Sequence, residues 1–290
     1  MAIEVHLFLP QMRLPFPSLI AKARAAEEAG FTGIALMDHL APPMAIDQSM
    51  FDAMVAASWI AASTERLTVG HLVLCDAMRH PAVLAKQAVS IDHGSGGRFE
   101  LGIGWGSVPK ELEVFGVGSL VPRDRVARLA ETLDVVTALW AGDKVDYEGE
   151  HHTIRRGQQL PVPIDRIPIV IGGVGKKTMA LVARHADWWN VPIHELQRLD
   201  ELRPSAGTAR VSVQEMITFV PDPATRDEAL ALAARRFSTF PSRVIGDADV
   251  VLAHFAELEA RGIERVYAWF SDFADEDNLR RFGAEVITQM

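Results

Sequence analysis

LTVGHLVLCDAMRHPAVLAKQAVSIDHGSGGRFELGIGW, residues Leu67–Trp105, reads as one strand–helix–strand unit. Leu67–Cys75 is an apolar, strand-like run. Pro81–His93 is a helix with proline in its first turn, where the missing N–H does no harm. Phe99–Trp105 is a strand again. Strands that alternate with helices form a parallel sheet with right-handed crossovers.

The alternation extends in both directions. Upstream, Ile3–Leu9 is a strand closed by Pro10. Pro17–Ala29 is a helix stopped by Gly30, a residue tolerant of positive φ. Gly33–Met37 is a strand ending in Asp38-His39, and Phe51–Ala62 a helix rich in alanine and methionine. Downstream, Arg123–Trp140 is a long helix, followed by the polar stretch Gly142–Pro163, in which Val145–Tyr147 and His151–Ile154 form a small hairpin. Ile167–Ile171, Asp187–Val191, Val211–Val220 and Glu264–Phe270 are further strands. Lys176–His185, Thr225–Phe237, Asp247–Arg261 and Asp275–Thr288 are helices. Eight strands in this order specify an α/β fold, a TIM (β/α)8 barrel with a short insertion. We read residues 1–290 as a single domain, with the insertion near 142–163. The rival is an open doubly wound sheet, which carries a glycine-rich dinucleotide fingerprint after its first strand. Here LPQMRLPFP follows, without glycine.

Composition narrows the function. The 290 residues carry a formal charge of −9. That acidity argues against a general nucleic-acid binder, which needs a basic face. The single cysteine, Cys75, excludes an intrachain disulfide and fits a reducing compartment. No apolar run is long enough to span a bilayer. The start, MAIEVHLFLP, lacks the features of a secretory signal. A cytoplasmic protein with a small-molecule substrate is expected, without nucleic-acid or membrane partners.

A barrel places its site at the C-terminal strand ends. Those ends are Leu9-Pro10-Gln11, Asp38-His39, Leu74-Cys75-Asp76, Gly104-Trp105-Gly106, Gly172–Gly175, Asn190-Val191 and Trp269-Phe270-Ser271. They hold no HExxH zinc motif and no GxSxG elbow, and the strands contain no lysine for a Schiff base. Cys75 reads as a buried, inert thiol before a reactive one. His151-His152 read as solvated. The glycines of Gly102-Ile-Gly-Trp-Gly106 admit two readings, a bare bed for a flat ring or a packing adjustment. Gly172-Gly-Val-Gly-Lys-Lys-Thr178 fails the Walker spacing, yet it opens a helix whose free N–H groups suit an anion. His39 is the candidate proton donor or orienter, with a structural role beside Asp38 as the alternative. Arg79 is read as meeting either an anion or solvent, and Glu111 and Glu113 as a solvated helix start before a site carboxylate. Ala53, Ala56, Ala57 and Ala61 are read as a face for a second subunit, with packing inside the chain as the alternative.

Four segments taken together resemble the bacterial luciferase-like superfamily of flavin and deazaflavin oxidoreductases. They are Arg79–Gly106, Ile167–Asn190, Glu27–His39 and Val244–Val266, in order along nearly the whole chain. The resemblance implies coenzyme F420, with FMN as the alternative, bound at the strand C-termini. It implies a non-proline cis peptide at Leu72–Val73 behind the ring, and a homodimer. With F420 the implied reaction is two-electron hydride transfer to or from a small organic substrate; with FMN it is monooxygenation fed by a separate flavin reductase. A non-catalytic flavin-binding barrel is a further alternative. The implied catalytic residue is His39. The implied cofactor contacts are Leu9, Asp38, His39, Leu72, Val73, Leu74, Gly104, Trp105, Gly106, Gly172, Gly173, Val174, Gly175 and Lys176, with Gly173–Lys176 on the phosphate and no metal. Two departures point away from sugar-phosphate dehydrogenation. Leu40–Met44 lacks the tryptophan of some deazaflavin enzymes, and Ser107 stands where some carry glutamate. The apolar loop suggests a moderately hydrophobic substrate instead.

Overall fold

The structure is a computed structural model and describes residues 3–43, 45–236 and 244–290. Its elements follow the expected alternation. They run β1 (Glu4–Phe8), α1 (Phe16–Glu28), β2 (Gly33–Leu36), α2 (Ala53–Ser63), β3 (Thr68–His71), β4 (Leu74–Cys75), α3 (Pro81–Ser95), β5 (Leu101–Gly104), α4 (Pro109–Phe115) and α5 (Pro122–Trp140). After the β6 (Val145–Glu148) and β7 (Thr153–Gly157) hairpin come β8 (Ile169–Gly172), α6 (Lys176–His185), β9 (Trp188–Val191), α7 (Leu199–Leu202), β10 (Arg210–Phe219), α8 (Arg226–Arg236), β11 (Val244–Gly246), α9 (Ala248–Ala260), β12 (Arg265–Phe270) and α10 (Glu276–Glu285).

Local chemistry sets the helix ends. Asp52 caps α2 by accepting from the Val55 N–H at 2.8 Å, and His80 Nδ1 caps α3 from the Ala82 N–H at 3.2 Å. Gly96 ends α3 at φ 68°, a conformation that a side chain would oppose.

The main sheet is parallel, in the order β3-β2-β1-β12-β10-β9-β8-β5-β4, with β11 added beside β10. β3 and β4 are the two halves of the expected strand Leu67–Cys75, separated by a cis peptide at Leu72–Val73. A parallel bridge between Val69 of β3 and Phe99, just before β5, closes the barrel. The β6–β7 hairpin stands off this sheet as an antiparallel pair, where the insertion was expected. Glu131 of α5 secures it, its carboxylate accepting from the N–H groups of Glu150, His151 and His152 at 2.8–2.9 Å.

At the N-terminal strand ends the barrel is plugged by charge. Arg265, 3% exposed, donates to Glu4 at 2.7 Å, to Glu100 at 2.7 Å and to the Tyr267 hydroxyl at 3.1 Å. Its guanidinium lies 3.7 Å from the centre of the Trp188 ring. Burial pushes the Tyr267 phenol up to about 12. It also holds the nearby His6 well below the usual histidine range, helped by the Arg265 charge.

Several expectations need correction. Strand β11 and the helical turns of 193–206 were not expected from the sequence, and of α4 only a helix start at Glu111 and Glu113 was. Ala53, Ala56, Ala57 and Ala61 are buried within the chain, because α2 packs its small face on the barrel; Val55 and Trp59 are the exposed apolar residues of that helix. His152 is buried rather than solvated, with Nε2 3.0 Å from Thr132 Oγ1. Burial lowers its pKa to about 4. Phe237, the expected end of α8, and Met44 of the loop after β2 lie outside the described residues.

Candidate active site

A cavity of about 870 Å³ opens at the C-terminal strand ends. That is within the size range of cofactor and substrate pockets, roughly 300–1,000 Å³. Its floor is Leu72–Cys75 and its near wall Gly104–Val108, joined by Glu111 and Leu112 of α4. Met37, Asp38 and His39 enter from β2. The far wall is Gly172, Gly173, Asn190, Pro192, Ile193 and His194, with Gln214, Met216 and Trp269 from β10 and β12. The walls are mainly apolar, with a few convergent polar groups.

The glycines of β5 are explained by the strand beside them. A Cβ on Gly102 would fall 1.7 Å from the His71 carbonyl oxygen, and one on Gly104 2.8 Å from Val73 Cγ2. β5 therefore needs bare backbone to lie against the interrupted strand, so at these two positions the packing reading accounts for glycine. Trp105, at the end of β5, is stacked by the Arg125 guanidinium at 4.7 Å. Arg125 also donates to the Gly106 carbonyl at 2.9 Å.

The Asp38-His39 pair divides its partners. Asp38 is buried, and both carboxylate oxygens are engaged. Oδ2 accepts from the Cys75 N–H at 2.8 Å and from Arg79 Nη1 at 2.5 Å, while Oδ1 accepts from Arg79 Nη2 at 2.9 Å. Arg79 thus meets neither a free anion nor solvent, but clamps β2 to the start of α3. Burial works against its charge, yet the bonds and charge of Asp38 prevail and its pKa is raised. His39 does not turn to Asp38. Its Nδ1 lies 2.8 Å from Glu111 Oε2. Glu111 Oε1 accepts from the N–H of Leu40 at 2.5 Å and of Ala41 at 3.3 Å. Glu111, expected as solvated, is 8% exposed. Burial pushes the Cys75 thiol up to about 11, which suits an inert thiol.

The expected residues divide into two groups. Asp38, His39, Leu72, Val73, Leu74, Gly104, Trp105, Gly106, Gly172 and Gly173 come together on the cavity. Leu9, Val174, Gly175 and Lys176 are not among its lining residues. Leu9 is 1% exposed and donates its N–H to the Ala35 carbonyl at 2.9 Å. Gly175 is the N-cap of α6 and offers no side chain to the first turn, whose N–H groups therefore lack a side-chain acceptor there. The sequence reading ranked Glu111 as solvated before it ranked it as a site carboxylate, and it missed Gln214 and Met216. Ser212, Gln214 and Met216 recur every second residue along β10, the period that places side chains on one face of a strand. Two polar residues at that period within an apolar run were the available signal. Ser212 Oγ lies 3.3 Å from Asn190 Oδ1, which leaves the Asn190 amide nitrogen to face away from that bond.

Residues 3–268 match the family described as luciferase-like monooxygenase. The chain belongs to that family. Among curated relatives, it is 32% identical over 163 residues to an F420-dependent glucose-6-phosphate dehydrogenase of Microbacterium testaceum, covering 56% of this chain and 48% of the relative. It is 33% identical over 176 residues to the enzyme of the same description from Nakamurella multipartita, covering 59% and 51%. The match therefore spans about half the length of these relatives. Among solved structures of the same fold, an F420-dependent secondary alcohol dehydrogenase in complex with an F420–acetone adduct superposes with a TM-score of 0.83 at 18% identity, over 100% of both chains. The coenzyme F420-dependent tetrahydromethanopterin reductase of Methanopyrus kandleri gives 0.80 at 18%, over 100% of this chain and 99% of that one. The EDTA monooxygenase of Chelativorans sp. BNC1 gives 0.82 at 15%, over 100% and 93%.

Proposed function

We propose that the protein is an oxidoreductase that uses bound coenzyme F420 for two-electron hydride transfer to or from a small organic substrate. The observation that carries this reading is the cavity itself. It is a largely apolar chamber at the barrel mouth, floored by the Leu72–Val73 break and faced by His39. The residues fit a flat ring with an anionic tail. A Cβ on Gly172 would meet only ordinary contacts, 3.7 Å from the Asn190 carbonyl oxygen, so glycine there keeps cavity surface open rather than relieving a clash. Leu72–Leu74 and Gly104–Gly106 would back the ring. Gly173, Val174, Gly175 and Lys176 would hold the tail, because a helix N-terminus without a side-chain cap presents N–H groups to anions. The deazaflavin, when bound, supplies the hydride chemistry. The chain supplies orientation, a shielded pocket and, at His39 Nε2, a proton-handling group at the cavity. The F420-dependent enzymes among its relatives support the same reading. We also propose a cytoplasmic homodimer. Among the described residues no helix is long and apolar enough to cross a membrane, and Val55, Trp59 and Val83 expose apolar surface on α2 and α3.

Difference spectra of the purified protein with F420 and with FMN test the assignment. A saturable change with F420, and reduction or oxidation of the bound cofactor by alcohols or carbonyl compounds, is expected. Saturation by FMN alone would replace this reading with a monooxygenase served by a separate reductase. Tight binding without turnover across a broad panel would replace it with a binding barrel. No spectral change with either would overturn it.

A further inference from the structure

We propose that Glu111 is the positioning residue of the site, fixing the ring of His39 in the tautomer that leaves Nε2 as a proton acceptor facing the cavity. The inference rests on the reading of His39 as the proton-handling group.

The carboxylate of Glu111 meets three donors from one short segment. Oε1 accepts from the Leu40 and Ala41 N–H groups at 2.5 and 3.3 Å, and Oε2 lies 2.8 Å from His39 Nδ1. An ionised carboxylate only accepts hydrogen bonds. The proton of a neutral His39 must then sit on Nδ1, and the lone pair falls on Nε2. Among the described residues Nε2 has no hydrogen-bond partner, while His39 lines the cavity. Both side chains are largely withdrawn from water, at 14% and 8% exposure. Water therefore competes weakly for Nδ1.

The contact joins parts of the chain 72 residues apart. Pro109 starts α4 just beyond the glycines of β5, and the first turn of that helix carries Glu111 to the loop after β2. The same carboxylate thus holds the loop backbone and selects the ring state. A structural clamp alone would need only the two amide contacts.

Glu111→Gln separates these roles. A glutamine has one acceptor oxygen and one donor nitrogen. With its oxygen on the Leu40 and Ala41 amides, it turns an N–H₂ toward Nδ1 and favours the opposite tautomer. Imidazole ¹⁵N shifts of the cofactor-free protein, with His39 assigned through His39→Gln, report which nitrogen carries the proton. The wild type is expected to show the proton on Nδ1, and Glu111→Gln to show it on Nε2. In the loaded enzyme, kcat is expected to fall about 100-fold, the low end of general acid–base contributions. KM is expected to change less than about threefold, because the interaction is not a substrate contact. Glu111→Asp, which keeps the charge on a shorter arm, should recover part of kcat.

An unchanged ¹⁵N pattern in a folded Glu111→Gln protein would overturn the proposal, as would a wild-type ring protonated on Nε2. An unchanged kcat would do the same. Failure of the functional reading shows elsewhere, as absence of cofactor binding by wild type, and leaves the tautomer measurement standing. Circular dichroism of each variant separates loss of fold from loss of positioning.

Discussion

The two ends of the barrel solve opposite problems with the same strands. At the N-terminal ends, charge fills the space. Arg265 is held between Glu4 and Glu100 and stacked on Trp188. At the C-terminal ends, side chains withdraw. Asp38 and Arg79 neutralise one another at the edge, and Gly172 and Gly173 leave main chain facing a cavity of about 870 Å³. The closed end spends its polar groups on one another, whereas at the open end Nε2 of His39 has no hydrogen-bond partner among the described residues. Stability and reactivity are therefore separable by mutation.

The largest effect is expected at the base. Arg265→Ala leaves Glu100, only 6% exposed, without its cation. Breaking a buried pair in this way costs about 3–5 kcal/mol, which urea unfolding will measure. The folded fraction should still bind cofactor, and loss of binding in folded protein would break the separation of the two ends.

Between the ends, His71 supplies a pH test. Burial lowers its pKa to about 4. In the unfolded chain histidine titrates near 6.5, so between these values the unfolded state binds more protons than the folded one. Stability should therefore fall as pH drops from 6.5 toward 4, by roughly 3 kcal/mol for this one group. Unfolding free energies of wild type and His71→Gln across that range should converge at low pH; parallel curves would remove His71 as the cause.

Two glycine substitutions contrast packing with binding. Gly102→Ala drives a methyl group against the His71 carbonyl, 1.7 Å from the ideal Cβ position, and should cost about 1–3 kcal/mol of stability through overpacking. Gly172→Ala should leave stability within about 0.5 kcal/mol yet weaken cofactor binding about tenfold, a change of about 1.4 kcal/mol. Equal stability losses in the two variants would erase the distinction. The smallest effect concerns Cys75. With its thiol raised to about 11, native protein at pH 8 should resist alkylation under conditions that label denatured protein fully.

Local patterns made most of the barrel legible. The strands from β1 to β12 mostly fall within a residue or two of their expected limits, because a strand buried on both faces reads as a continuous apolar run between turn residues. The β3–β4 break was not visible in periodicity. Leu72 and Val73 are ordinary strand residues, and only the resemblance to relatives pointed to the cis peptide seen there. Strand β11 was missed because its three residues, Val244–Gly246, are too few to show a period. Glu111 was misread for another reason. A glutamate in the first turn of a helix is favourable by itself, so its sequence context gives no hint of a partner 72 residues away. Arg79 was ambiguous for the same cause, since Asp38 reaches it only after two strands and a loop have packed.

One feature of the topology bears on how the protein is made. Strand β1 pairs with β12, so Glu4 meets Arg265 across 261 residues. On the ribosome, β1 must wait for the 261 residues that separate Glu4 from Arg265 before its permanent neighbour exists. Until then an apolar edge has only β2 on its other side, and such unpaired edges are prone to aggregate. The edge thus stays unpaired from the emergence of β1 until Arg265 is made, and a pause anywhere between the two strands lengthens that exposure.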